Sequence, residues 1–244
     1  MKPIYEPSGK AKEYGDLAIN IYTGCPHRCY YCFAPNVLHK QKEPFHSCVE
    51  PRKNIVEEVK KQLAKEQIKG KLIHLCFTCD PYPTGYDTTP TREIIKAIKE
   101  SGNNVQILTK NGVDAMQDFD LLDENDWFGI TYCGYPEGTL FDAPSTEPGT
   151  GPLLGRLQAL KIAKNKGIKT WISCEPVMDE QDILSLIMLA DYIDLWKIGK
   201  MNYHKSDINW GEFGKKVERE LRIYHRNYYI KDSLRAEMEK DRRN

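Results

Sequence analysis

Short apolar runs alternate with longer amphipathic stretches along most of this chain, and parallel β/α units produce that alternation. Six of the runs read as strands: Leu17 to Tyr22, Lys71 to Phe77, Val105 to Leu108, Trp127 to Thr131, Lys169 to Ser173 and Asp194 to Ile198. Helical spacing is clearest over Arg52 to Lys69, where Val56, Val59 and Leu63 recur, and over Thr91 to Ser101, where Ile94, Ile95 and Ile98 share a face. Further helices are predicted at Asp114 to Leu122, Leu153 to Lys166, Asp179 to Ala190, Trp210 to Arg226 and Ser233 to Asp241. One helix per gap calls for right-handed crossovers on a parallel sheet. With 244 residues, 40% of them hydrophobic, the chain can bury one substantial core. Six units are too few to close an eight-stranded barrel. The expected fold is therefore α/β, an open partial (β/α)6 TIM-like barrel, with a doubly wound sheet as the alternative.

Charge narrows the partners. Basic and acidic side chains number 35 each, so any nucleic-acid affinity must come from a local patch. Residues 201–244 offer one: eleven Lys or Arg stand against eight Asp or Glu, with Tyr203, Tyr224, Tyr228 and Tyr229 interleaved. Such a tail either touches nucleic acid through phosphates and stacked bases or is a charge-laced surface helix. The expected division is a core over 1–200 and a helical, mildly basic extension over 201–244 packed on it. Met1 to Asp16 is polar, and the longest apolar stretch, Ile183 to Ile193, is interrupted by Ser185 and Asp191. A cytoplasmic protein with no membrane partner is expected. In that reducing setting the 8 cysteines read as metal ligands, catalytic thiols or buried apolar residues.

In either fold, reactive groups belong at the carboxyl ends of the strands. Those ends carry Thr23-Gly24-Cys25, Thr78-Cys79-Asp80, Thr109-Lys110-Asn111, Thr131-Tyr132-Cys133, Cys174-Glu175-Pro176 and Gly199-Lys200-Met201. After the first strand, Cys25, Cys29 and Cys32 are spaced by three and then two residues, which wraps one short loop around a metal centre. Three thiolates on a [4Fe–4S] cube leave one iron open for a substrate or cofactor. The competing reading is a structural zinc knot completed by Cys48, His27, His39 or His46.

Cys25, Cys29 and Cys32 match the CxxxCxxC motif of radical S-adenosylmethionine enzymes, and the β/α order resembles their partial barrel over about Leu17 to Met201. Within that superfamily the chain is similar to the spore photoproduct lyase branch at Thr23-Gly24-Cys25, Thr78-Cys79-Asp80, Leu108-Thr109-Lys110, and Glu147-Pro148-Gly149-Thr150 followed by Arg156. The resemblance implies a [4Fe–4S] cluster on the three cysteines and S-adenosylmethionine chelated to the open iron. One electron then releases methionine and a 5′-deoxyadenosyl radical that takes hydrogen from a substrate. It also implies a reductant such as flavodoxin or ferredoxin. It sets Tyr31 beside the adenine and in a radical relay, Asp80 against the methionyl amine, Lys110 against the carboxylate, and Thr131 against ribose or carboxylate. Thr78 and Glu175, at the second and fifth strand ends, are further cofactor-facing candidates.

Three positions depart from the branch. Its hydrogen-returning cysteine falls at Phe77, with Cys76 and Cys79 on either side; its second relay tyrosine falls at Phe33; a serine common in the fourth strand falls at Gly129. Cys79 becomes the catalytic candidate in place of the missing cysteine, and Cys76 is read as core. The branch and the tail together suggest a nucleic-acid base as substrate. The alternative from another class is a non-catalytic iron–sulfur or zinc protein that binds nucleic acid.

Overall fold

The computed structural model describes residues 2–135 and 140–241, so Arg242, Arg243 and Asn244 at the end of the charged tail lie outside the described residues. Its strands are β1 (Ile4–Tyr5), β2 (Leu17–Ile19), β3 (Leu72–Leu75), β4 (Asn104–Thr109), β5 (Trp127–Thr131), β6 (Lys169–Cys174), β7 (Leu195–Ile198) and β8 (Tyr228–Ile230). The helices are α1 (Ala34–Val37), α2 (Lys42–Ser47), α3 (Ile55–Glu66), α4 (Thr89–Glu100), α5 (Gly112–Ala115), α6 (Leu153–Asn165), α7 (Glu180–Leu189), α8 (Trp210–Ile223) and α9 (Asp232–Asp241). All the strands lie in one sheet in chain order, with β1 antiparallel to β2 and every later pair parallel. This is the open α/β partial barrel, and the six predicted strands form its middle.

Three differences from the sequence reading have local causes. β1 and β8 were not expected: runs of two and three residues are too short to display an alternation. β8 also changes the extension beyond residue 200, which contributes a strand to the sheet through Lys197↔Tyr229 pairing as well as helices α8 and α9. The helix expected over Asp114 to Leu122 is instead the single turn α5 followed by a 3-10 turn, Met116–Asp118. Between Gly9 and Glu13 a further 3-10 turn carries the chain across the sheet opening.

Strand pairing divides the side chains between two faces. Ile73, Leu75, Val105, Ile107, Phe128, Ile130 and Ile172 point one way, into the helix layer, and each is fully buried. Each such side chain contributes about 1.5–3 kcal/mol of burial free energy. Paired in register on the other face are His74 with Gln106, Gly129 with Trp171, and Ser173 with Lys197. The barrel interior is therefore polar and aromatic. Gly129 keeps room for the Trp171 indole, since a Cβ there would sit 2.3 Å from Nε1. A serine at that position has no space. His74 is a structural residue, with Nδ1 2.8 Å from Gln106 Oε1 and its pKa lowered by burial to about 4. No helix among the described residues is long and apolar enough to cross a membrane.

Candidate active site

The three cysteines lie on the loop that leaves β2, and two segments hold that loop from opposite sides. On one side the Cys25 amide donates to the Phe45 carbonyl in α2 at 3.1 Å, and a Cβ on Gly24 would lie 2.3 Å from the same oxygen. On the other, the Tyr30 amide donates to Thr146 O at 2.8 Å and the Gly149 amide to His27 O at 3.1 Å. A Cβ on Gly149 would stand 2.2 Å from Pro26 O, so both contacts require glycine. All three thiols are free, Cys29 buried and Cys25 and Cys32 half-buried. Burial raises the pKa of each. Among the described residues no three His, Cys, Asp or Glu side chains converge as ligands of a single metal ion. Of the histidines proposed to complete a zinc knot, His27 sits between Asp80 and Thr84, and His46 Nδ1 lies 2.8 Å from Cys25 O.

The resemblance named Glu147 and Arg156 without giving them a task. The structure makes them a buried hub. Arg156 Nη2 lies 2.7 Å from Glu147 Oε2, both side chains fully buried, and Arg156 also donates to Thr150 Oγ1 at 2.6 Å and Thr131 O at 3.1 Å. Tyr135 donates its hydroxyl to Glu147 Oε2 at 2.8 Å, and the Tyr31 hydroxyl donates to Oε1. Burial alone would raise the Glu147 pKa, but Arg156 and Lys110 outweigh it and hold the carboxyl at about 2. Tyr31, whose hydroxyl also lies 3.1 Å from Cys133 Sγ, is thus anchored at its oxygen with its ring on the cavity.

A cavity of about 640 Å³ opens over the strand ends and is lined by Tyr31, Thr78, Cys79, Asp80, Lys110, Thr131 and Glu175 among others. Its size is that of a small-molecule site. Among the described residues two of these side chains are left with unmet chemistry: the Thr78 hydroxyl is buried without a hydrogen-bond partner, and the Lys110 ammonium meets no carboxylate or carbonyl oxygen and lies 5.6 Å from the Tyr31 ring. Burial opposes the Lys110 charge, yet Cys29 and Glu147 nearby raise its pKa. Asp80 has structural partners that the sequence reading did not assign. Its Oδ1 accepts from Thr109 Oγ1 at 2.6 Å and the Tyr82 amide at 2.9 Å, and its Oδ2 from the Lys110 amide at 2.8 Å, with His27 Nδ1 at 3.4 Å. Those contacts fill most of a carboxylate's acceptor sites, so Asp80 also positions Lys110 and His27 beside the cavity that it lines.

Glu175 lies at the other end of the cavity. Tyr14 donates to its Oε2 at 2.9 Å, Lys231 to Oε2 at 2.6 Å and Asn202 to Oε1 at 3.0 Å. The 3-10 segment and the C-terminal extension thereby meet on a strand-end carboxylate. Sequence reasoning missed Tyr14 and Lys231 because no local motif marks either residue.

A family model described as the radical SAM superfamily matches residues 19–190. The chain belongs to the radical SAM superfamily. Among curated proteins it is 31% identical over 207 residues to an uncharacterised protein of Acidianus two-tailed virus, covering 76% of this chain and 67% of that one. It is 30% identical over 183 residues to an uncharacterised protein of Methanocaldococcus jannaschii, covering 73% of this chain and 66% of that one. Its fold is similar to that of spore photoproduct lyase complexed with dinucleoside spore photoproduct, with TM-score 0.67, 16% identity, and 92% of this chain and 78% of the other covered. Streptococcus suis SuiB bound to S-adenosylmethionine gives TM-score 0.63, 12% identity, and coverage of 87% and 49%. Radical SAM enzymes use a [4Fe–4S] cluster and S-adenosylmethionine. The residues present fit both: three free thiols on one clamped loop for the cluster, and an unpaired ammonium and an unpartnered hydroxyl in the adjoining cavity for the polar groups of the sulfonium ligand.

Proposed function

We propose that this radical SAM enzyme acts on a nucleic-acid base presented single-stranded or flipped out of a duplex. The observation that carries this reading is the rim of the cavity. Phe33 and Tyr203 line it and are 41% and 66% exposed, and Tyr30, 52% exposed, adjoins it through His204. The His204 ring lies 4.6 Å from that of Tyr30, and the Lys10 ammonium 5.4 Å from that of Tyr203. Exposed aromatic faces interleaved with cations stack bases and neutralise phosphates. The likeness to a lyase crystallised with a dinucleoside supports the reading.

When bound, the cluster and S-adenosylmethionine supply a 5′-deoxyadenosyl radical. The chain's own residues decide where it acts. Cys25, Cys29 and Cys32 hold the cluster, Lys110 takes the carboxylate, Thr78 and Thr131 take polar atoms of the cofactor, and the Tyr31 ring faces the adenine. Cys79, whose thiol lines the cavity, returns a hydrogen atom to the product. In this reading residues 1–200 are the cofactor-binding core, and residues 201–244 are the extension that closes the substrate end. The electron comes from a flavodoxin or ferredoxin in a reducing, cytoplasmic setting.

The test is isotope transfer. Single-stranded oligonucleotides deuterated at the bases should deliver deuterium into 5′-deoxyadenosine, and Tyr203→Ala or Phe33→Ala should lose that transfer while still cleaving S-adenosylmethionine. Vigorous cofactor cleavage with no transfer from any base contradicts the substrate assignment and leaves the family assignment intact.

A further inference from the structure

β3 is followed by Cys76-Phe77-Thr78-Cys79, a Cys-x-x-Cys turn, and both cysteines line the cavity. Cys76 itself turns the chain. Its φ of 67° places a non-glycine residue in the left-handed region, which requires the surroundings to hold it there. They do so by hydrogen bonds. The Cys76 amide donates to Ile19 O at 2.7 Å, and the Phe77 and Thr78 amides both donate to Asn20 Oδ1, at 2.8 and 2.9 Å. Asn20 is locked in turn by its own Nδ2, which donates to the Tyr5 hydroxyl at 2.7 Å.

The environment of Cys79 eases the loss of its thiol proton. The Tyr22 amide donates to its sulfur at 3.4 Å, and the Arg52 guanidinium lies near enough to lower its pKa, with Nε buried and without a hydrogen-bond partner. Burial opposes the charge, yet the Cys76 thiol and then the Tyr22 amide and Arg52 bring the balance below the ordinary thiol value, while burial drives the Cys76 thiol well above it. The two residues stand three apart on this one turn and line the same cavity. A pinned Cys-x-x-Cys turn with one ionisable, partly exposed sulfur and one buried protonated sulfur is the arrangement of an attacking and a resolving thiol.

We propose that Cys76 and Cys79 form a thiol–disulfide exchange site inside the cavity, whose partner is a low-molecular-weight disulfide. Cys79 gives up its proton and attacks one sulfur of the incoming disulfide, forming a mixed disulfide and expelling one thiolate. Cys76 gives up its proton, attacks the Cys79 sulfur and expels the second thiolate. Two protein thiols are oxidised to one disulfide, and one external disulfide is reduced to two thiols. Closure leaves Cys79 without an S–H, so the site couples the enzyme's hydrogen donor to the thiol poise of its surroundings. This part of the proposal rests on Cys79 being that donor; the exchange chemistry does not.

The test uses anaerobic, cluster-loaded enzyme equilibrated with oxidised and reduced glutathione mixtures, quenched in acid, alkylated and mapped by peptide mass spectrometry, with cluster absorbance followed in parallel. In wild type, the peptide holding both cysteines should lose two hydrogens and its alkylation while the cluster absorbance persists; reduction should reverse this. Cys76→Ser should accumulate a glutathione adduct on Cys79, and Cys79→Ser none on Cys76. Full alkylation of Cys76 and Cys79 under mixtures that modify exposed Cys48 overturns the proposal, and so does an adduct confined to Cys76. The wild-type map decides even if a variant fails to fold. Deuterium transfer from substrate is read separately, so failure of the substrate assignment leaves this result unaffected.

Discussion

The two ends of the cavity are built differently. At the cluster end, polar side chains come from neighbouring strand ends of the core and are held by one another: Asp80 by Thr109 and the Lys110 amide, Glu147 by Arg156, Tyr31 and Tyr135. At the far end, Glu175 is held by Tyr14 from before β2 and by Lys231 from beyond β8. The first end is prepared to bind a cofactor whatever the substrate. The second depends on segments from before β2 and beyond β8 meeting on Glu175, and in the proposed function it is the end that meets the substrate. Variants at the two ends should therefore fail in different ways.

The largest effect is expected from Cys29→Ala, which removes a cluster ligand: iron should fall from about four per chain toward none, and 5′-deoxyadenosine formation should disappear with it. Next is Glu147→Gln, which leaves Arg156 buried without a countercharge. A loss of about 3–5 kcal/mol in urea unfolding at neutral pH is expected. The Glu147 carboxyl titrates at about 2 in the fold against an ordinary 4.5, so its contribution to wild-type stability is whole above pH 4.5 and fades as pH falls toward 2. Acid unfolding of the variant should lack that component. At the other end, Lys231→Met should lower hydrogen transfer from substrate by about tenfold to a hundredfold, the range for losing one charged hydrogen bond, with uncoupled S-adenosylmethionine cleavage unchanged. Loss of the cluster in this variant would break the distinction between the two ends.

Smaller effects belong to the barrel interior beneath both ends. Gly129→Ser forces the Trp171 ring aside and should cost about 1–3 kcal/mol by thermal unfolding. Lys197→Met should stabilise by about 1 kcal/mol at pH 7. Burial, and then the Lys231 charge, lowers the Lys197 pKa to about 8 from 10.5. The cost of holding it charged in the fold is complete below pH 8 and vanishes above 10.5, so the variant's advantage should shrink as pH rises through that window.

The same contrast accounts for what could be read in advance. Cys25, Cys29 and Cys32 lie within one loop, and the strands from β2 to β7 each carry an apolar run or an alternation, so the core and its cluster end were legible. β8 is three residues long, and Glu175, Tyr14 and Lys231 come from distant parts of the chain, brought together by crossovers that no local pattern encodes. Asp80 was legible as a strand-end carboxylate but not in its use. Its position announces a polar site, while its hydrogen bonds are spent on Thr109, Tyr82 and Lys110, which only the folded chain brings near. Cys76 shows the limit most plainly: buried by pattern, it also lines the cavity, at a left-handed backbone turn just after β3 that no local pattern announces.

The central claim is that three cysteines hold a cluster with one iron left for a small sulfonium molecule, and Mössbauer spectroscopy of the iron-57-reconstituted enzyme with and without S-adenosylmethionine tests it directly. Addition of the ligand should change the parameters of one iron site out of about four and leave the others as they were. A spectrum indifferent to the ligand, or a protein that takes up zinc and no iron, contradicts the account.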